Sequence, residues 1–207
     1  MYRGGIIIDL TMRLDDFIML GADKIPINLS FDSVLNAYKA LEDKEPAYAN
    51  KVFRALNAFG VSGSYTIAER AFLLESIFAK IEELAKSIDQ YNFPTGGSGG
   101  KPIDYEKDTS LIYAAFRQAY GIDLFEMQGK LHWIKFLMLL NNLPEDTKLS
   151  KVIGYRTTVM PPRNKHNKAE VDHAIKMKNV YRLEESPEKV NEQINSALAM
   201  MFSSRPK

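Results

Sequence analysis

Three histidines and no cysteine limit the metal and redox chemistry that this sequence can carry. His166 and His173 are seven residues apart, which is two helical turns and too far along a helix axis for both to bind one metal ion. His132 lies beside Trp133 and has no carboxylate at a spacing typical of a ligand pair. We therefore expect His132 to be a half-buried polar residue, and we expect the protein to bind no metal and no cofactor.

The remaining polar residues form no recognisable catalytic set. Catalysis needs a nucleophile near a base that a third group orients, and no such arrangement is visible in the sequence. The adjacent acidic pairs at 15–16 and 82–83 point neighbouring side chains in different directions, which is typical of a solvated surface. Gly60 and Gly63 lack the context of a phosphate-binding loop. The sequence therefore predicts a protein that is not an enzyme.

A basic stretch from Arg163 to Arg182 is the one feature that favours an acidic partner. It contains six basic residues and two acidic ones. Three interpretations are open: a solvated helix face, a surface that binds an acidic region of another protein, and a nucleic-acid contact. No groove-reading motif accompanies the charge. The candidate partner-binding residues in this stretch are Arg163, Lys165, Lys168 and Lys176.

Residues 103–156, which precede the basic stretch, predict three short helices joined by short loops. Asp104 is the predicted N-cap of the first helix, and Gly121 is its predicted left-handed end. The second helix carries an apolar stripe that includes Trp133. The third helix is predicted to begin at Pro144, which has no amide hydrogen bond to lose there.

Tyr155 and Arg156 lie near the end of the third predicted helix. They are two further candidate partner-binding residues. The pair is either a structural stack inside the fold or an exposed contact pair, and the sequence leaves both interpretations open.

The N-terminal part of the chain predicts a β-hairpin followed by helices. Two apolar runs, 17–20 and 25–29, surround a turn and place Pro26 on an edge strand. Helices are predicted over 31–42, from Pro46 onward and over about 67–88. Their predicted inward faces are Val34, Leu35, Tyr38, Leu41, Val52, Phe53, Leu56, Phe59, Phe72, Leu73, Ile77, Ile81, Leu84 and Ile88. The predicted fold class is mainly α, with two small helical lobes and a short N-terminal β-hairpin.

A glycine-rich segment, residues 94–102, separates the two predicted lobes. Glycine and serine bury too little apolar surface to order such a segment, so we interpret it as a flexible linker or loop, either native or engineered. The predicted domains are residues 1–93, with the hairpin and a helical lobe, and residues 103–207. The second domain contains a helical lobe, the basic helix and a terminal helix that opens at Pro187.

The composition is that of an ordinary globular protein, with 45% hydrophobic residues, 26% charged residues and a net charge of +1. No segment approaches the roughly 20 apolar residues that a membrane helix needs, and the first residues contain no signal-peptide core. The absence of cysteine suits a reducing cytosol. We therefore expect a cytoplasmic protein without a membrane partner.

Several runs between Tyr113 and Arg156 share their pattern with one known family. The runs are Tyr113-Ala-Ala-Phe116, Tyr120-Gly-Ile-Asp123, His132-Trp133-Ile-Lys-Phe136, Leu143-Pro-Glu-Asp-Thr147 and Tyr155-Arg156. In these runs the chain resembles the tail assembly chaperones of long-tailed bacteriophages, in the version carried by phages of Gram-positive bacteria. The resemblance is strongest over residues 104–162 and weaker over residues 10–43.

The resemblance implies a protein that is made in the cytoplasm of the infected bacterial host and is absent from the mature virion. Such a protein binds the tape measure protein, keeps its long helix soluble and helps to recruit the tail tube protein. A second tail assembly chaperone, or a second copy of the same chain, is a further implied partner. The alternative is a phage accessory protein that binds nucleic acid through residues 163–182.

Overall fold

The computed structural model describes residues 8–43, 47–88 and 102–183. Within these residues the chain forms one antiparallel pair of strands and seven helices, which confirms the predicted fold class. The predicted linker up to residue 101 and the predicted terminal helix from Pro187 lie outside the described residues. The elements in chain order are β1 (Phe17–Leu20), β2 (Asp23–Pro26), α1 (Phe31–Glu42), α2 (Tyr48–Ala58), α3 (Ile67–Lys86), α4 (Thr109–Tyr120), α5 (Trp133–Asn141), α6 (Lys148–Thr157) and α7 (Lys168–Val180).

The chain divides into two compact units. Unit 1 contains residues 1–95 and 105–151, and unit 2 contains residues 96–104 and 152–207. Residues 105–151 thus group with the N-terminal segment, whereas the sequence assigns them to the C-terminal lobe. The contacts that join these two segments of unit 1 give the physical reason.

Those contacts begin with a short backbone pairing between two segments that are about one hundred residues apart. The Phe31 amide donates to the Leu131 carbonyl at 2.9 Å, and the Trp133 amide donates to the Leu29 carbonyl at 2.7 Å. Next to this pairing, the ring of Phe136 stacks on Phe31 with a centroid distance of 5.1 Å. Backbone and aromatic contacts therefore fix α5 against the start of α1.

The side chain of His132 strengthens the same junction. His132 is the N-cap of α5, and its Nδ1 accepts a hydrogen bond from the Ile134 amide at 3.1 Å. Its Nε2 lies 3.1 Å from Oδ1 of Asp16. Because Nδ1 is the acceptor, the proton of the neutral ring resides on Nε2 and is donated to Asp16. The histidine that the sequence predicts to be half buried is buried and caps a helix.

The hairpin of unit 1 turns more tightly than the sequence indicates. β2 begins at Asp23, so only Gly21 and Ala22 form the turn, with Gly21 at φ 61°. Pro26 pairs with Phe17 at the open end of the hairpin. The ammonium group of Lys80 on α3 donates to the Phe17 carbonyl at 3.1 Å, which holds the hairpin against this helix.

The first three helices bury narrower faces than their apolar stripes predict. α1 buries Ala37 and Ala40, while Tyr38 is exposed. Phe53 on α2 and Phe72 on α3 are also exposed, although the sequence predicts both to face inward. α3 begins at Ile67, as predicted, and its first turn has a full capping box between Thr66 and Glu69.

Two helices of the central segment begin later than predicted. α4 begins at Thr109 with Asp108 as its N-cap, so Asp104 does not cap it. α6 begins at Lys148, four residues after Pro144, because Thr147 Oγ1 accepts a hydrogen bond from the Ser150 amide at 3.2 Å. The end of α4 follows the prediction, with Gly121 in the left-handed conformation at φ 67°.

Candidate partner-binding surface

The candidate residues that the sequence predicts all lie in unit 2, on α6, on α7 or between them. α7 buries one side chain, Val171, and leaves most of its circumference exposed. Residues 168, 172 and 176 recur every four positions and share the outer face of this helix. We call this face, together with the residues just before α7, the α7 surface.

Three lysines give the α7 surface its charge. Lys165 precedes the helix, and Lys168 and Lys176 lie on its outer face, about 12 Å apart along the axis. All three are exposed, and none forms an ion pair with a described residue. Their ammonium groups are therefore available to an acidic partner.

Arg163 contributes less free charge than the lysines. One guanidinium nitrogen lies 2.7 Å from Oδ2 of Asp172, and both side chains are about half exposed. The ion pair connects the segment before α7 to the middle of this helix. An exposed pair of this kind contributes at most about 1 kcal/mol to stability, so its main effect is to neutralise Asp172 between the lysines.

Tyr155 packs against residues of α7 and its end. Its ring is nearly parallel to that of Tyr181, with an interplanar angle of 5° and a centroid distance of 6.1 Å. It meets His173 edge to face at 6.4 Å. Tyr155 is half buried, so one side of the ring stabilises unit 2 and the remainder stays accessible.

Arg156 is buried, with 7% of its surface exposed. Its Nε donates to the Tyr181 carbonyl at 2.7 Å, and its Nη1 donates to the Pro102 carbonyl at 3.1 Å. Tyr181 is the C-cap of α7, so the guanidinium also lies at the negative end of that helix dipole. These contacts support the structural interpretation of Arg156, because a partner cannot reach a guanidinium that is buried against two carbonyl groups.

Sequence reasoning identifies the lysines but misses what holds α7. The acceptors for Arg156 are backbone carbonyls, and backbone groups have no signature in the sequence.

Of the residues described, no three or more potential ligands are close enough to hold a metal ion. No helix in the described ranges has the length and apolar character to span a membrane.

The sequence profile of the family described as Bacteriophage Gp15 protein matches residues 14–183, which is most of the chain. The chain therefore belongs to the bacteriophage Gp15 protein family, and this membership suggests a phage structural or morphogenesis-related protein. No curated protein and no solved structure matches the sequence significantly. The matched range includes β1 to α7 and thus all the elements formed by the described residues.

Proposed function

We propose that this protein is a tail assembly chaperone that binds the tape measure protein of its phage. The bacteriophage family supports the proposal, as do the runs between Tyr113 and Arg156 that resemble tail assembly chaperones. In this proposal the protein acts in the cytoplasm of the infected host without catalysing a reaction. It helps to recruit the tail tube protein and does not remain in the mature virion.

The single observation that carries the proposal is the exposed and mixed character of the α7 surface. Lys168 and Lys176, which form no ion pair with described residues, share α7 with Ile175 and Val180, which are 42% and 63% exposed, and Lys165 precedes the helix. A long amphipathic helix self-associates unless a partner covers its apolar stripe. A surface that offers apolar side chains beside positive charge suits such a helix, because the apolar contact gives affinity and the charges select the register.

Co-expression of the tape measure protein with this chain tests the proposal. We expect the tape measure protein to stay soluble and to co-purify with the chain, whereas without the chain it aggregates. An equally insoluble tape measure protein with no recoverable complex would refute the chaperone function. The same experiment with the tail tube protein present tests whether a ternary complex forms.

Charge reversal tests whether the α7 surface is the contact. Changing Lys165, Lys168 and Lys176 together to glutamate should slow association, and the effect should shrink at high salt because exposed charges are screened. The matched control is the change of Lys135, Lys148 and Lys151 to glutamate, since these exposed lysines of unit 1 alter the net charge equally. Equal effects of the two triple variants would show that the α7 surface is not specific.

The six basic residues of the stretch 163–182 also favour a second candidate function, nucleic-acid binding. A phosphate contact makes the affinity fall steeply with salt concentration. Salt-dependent binding to duplex DNA that the α7 triple variant abolishes, without binding to the tape measure protein, would support this alternative.

A further inference from the structure

The junction at the start of α5 depends on one buried ring that uses both of its nitrogen atoms. Nδ1 of His132 accepts the hydrogen bond of the Ile134 amide at 3.1 Å, and Nε2 lies 3.1 Å from Oδ1 of Asp16. The backbone of His132 also pairs with Ser30 in a short antiparallel bridge. This residue thus joins three segments of unit 1: the segment before β1, the segment before α1 and the start of α5.

This arrangement requires a neutral imidazole ring. A neutral ring offers one donor and one acceptor, whereas a protonated ring offers two donors and no acceptor. Protonation of His132 therefore keeps the hydrogen bond to Asp16 but removes the acceptor of the Ile134 amide. Water cannot replace that acceptor without local opening, because Ile134 is 1% exposed. Histidine is the side chain that ordinarily takes up a proton between about pH 8 and pH 5.

Protonation has two opposing effects, and the loss of the cap is the larger. The positive ring would lie at the N-terminus of α5, where the helix dipole is also positive, and the buried amide would lose its acceptor. Asp16 favours the positive ring, but it already accepts a hydrogen bond from the neutral ring. Its side chain is also 29% exposed, so water screens the added charge. The proton therefore costs more at Ile134 than it gains at Asp16.

The other charged groups around the ring have partners elsewhere or are exposed. The ammonium group of Lys80 on α3 donates to the carbonyls of Asp15 and Phe17, so it does not favour a second positive charge nearby. The charged residues on the remaining adjoining segments are Asp32, whose Oδ1 accepts from the Gly129 amide, Lys130, whose ammonium group donates to the Glu126 carbonyl, and the exposed Arg13, Asp15, Glu126 and Lys135. Among the described residues, Asp16 is the carboxylate that pairs with the ring.

We propose that His132 is a pH-sensitive cap of α5. The neutral ring holds the first turn of α5, and the protonated ring releases the Ile134 amide. Because Trp133 and Ile134 are buried in this turn, its release exposes apolar surface of unit 1 in mildly acidic solution. The cap contributes fully to stability above the pH range in which histidine titrates, and this contribution is lost as the pH falls through that range. The inference goes beyond the proposed function and needs no partner protein.

Hydrogen exchange in the full-length protein tests the proposal. The measured quantity is the protection factor of the Ile134 amide, which compares its exchange rate with that of an unstructured peptide at the same pH. Loss of a helix cap corresponds to a change of about 2- to 30-fold. We expect a fall of this size between about pH 7.5 and about pH 5. Long-range ¹H–¹⁵N correlations of the His132 ring should show one proton, on Nε2, at the higher pH and two at the lower pH.

Two variants of His132 separate its two contacts, and neither variant can titrate. Asparagine places its side-chain oxygen where Nδ1 lies and so keeps the cap, whereas glutamine reaches Asp16 through its terminal amide and loses the cap. At about pH 7.5, His132→Gln should lower the protection of Ile134 about 2- to 30-fold, and His132→Asn should change it less than about twofold. The protection factor should not depend on pH in either variant.

Two further variants serve as controls. Asp16→Asn removes the carboxylate that favours the positive ring, so it should enlarge the fall of protection at about pH 5. The double variant His166→Asn with His173→Asn removes the two exposed histidines of unit 2 and should leave the pH dependence of Ile134 unchanged. Near-UV circular dichroism verifies that each variant is folded at the higher pH.

Four outcomes would overturn the proposal. The first is a ring proton on Nδ1 at the higher pH, and the second is a ring that stays neutral at the lower pH. The third is a protection factor that stays constant or rises as the pH falls, which would show that Asp16 outweighs the cap. The fourth is a fall of the same size in His132→Asn, or loss of the fall in the double variant, since either result would assign the pH dependence to other groups.

Discussion

Replacing Arg156 by alanine should release α7 from unit 2. The guanidinium donates hydrogen bonds to two described carbonyl groups, at 2.7 Å to Tyr181 and at 3.1 Å to Pro102. A hydrogen bond from a charged donor contributes about 1.5–3 kcal/mol, and water replaces it poorly because the side chain is 7% exposed. We expect a loss of about 3–5 kcal/mol in the local stability of this contact.

Hydrogen exchange followed by mass spectrometry measures that loss directly. Since 1.4 kcal/mol corresponds to a factor of ten, amides in α7 (Lys168–Val180) should exchange about 140- to 4,000-fold faster in Arg156→Ala. Arg156→Lys should fall in between, because one ammonium group cannot reproduce the fork of the guanidinium.

Arg163→Ala is the matched control, because it also removes an arginine that contacts the α7 surface. Its ion pair with Asp172 is about half exposed, so its loss should change exchange less than about fivefold. If Arg156→Ala accelerated exchange in α7 no more than Arg163→Ala does, the guanidinium would not be what holds this helix.

Two further predictions concern unit 1. Thr66→Ala removes the side-chain half of the capping box of α3 and should cost about 1 kcal/mol in urea unfolding. It should also raise the pKa of the Glu69 carboxyl, which hydrogen bonds from the Thr66 backbone and side chain hold low, whereas Thr66→Ser should retain both properties. Burial raises the pKa of Tyr105 from 10.0 to about 12. The buried neutral phenol therefore contributes fully to the free energy of unfolding below pH 10, and this contribution is lost as the pH rises towards 12. The loss should amount to roughly 2–3 kcal/mol, and Tyr105→Phe should show a flatter decline of the unfolding free energy over this range.

Sequence periodicity located the helices well but not the width of their buried faces. The limits of α1, 31–42, agree with the prediction, because the apolar spacing begins at Phe31 and the chain leaves the helix at Asp43, the C-cap. The buried residues of α1 are Phe31, Ser33, Val34, Ala37 and Ala40. A stripe shows which side of a helix is apolar, but the neighbouring helix decides how much of that side is covered. The stripe therefore predicts a buried Tyr38, whereas the side chain is exposed.

The candidate surface was predictable where it depends on charge and unpredictable where it depends on the backbone. Lysines are seldom fully buried, so the exposure of Lys168 and Lys176 follows from residue type. The burial of Arg156 does not, because its partners are carbonyl groups and one of them, at Pro102, is distant in sequence.

The pairing of residues 29–31 with 131–133 also determines when unit 1 can complete its contacts during synthesis of the chain. A ribosome adds about 5–20 residues per second, so the hundred residues between the two segments take roughly 5–20 s to synthesise. Throughout that time Leu29 has no backbone donor from Trp133, and Phe31 has no ring of Phe136 to stack on. The hairpin and the first three helices therefore remain incompletely covered until α5 has left the ribosome. A slow codon placed between α3 and α4 would lengthen this interval without changing a single residue.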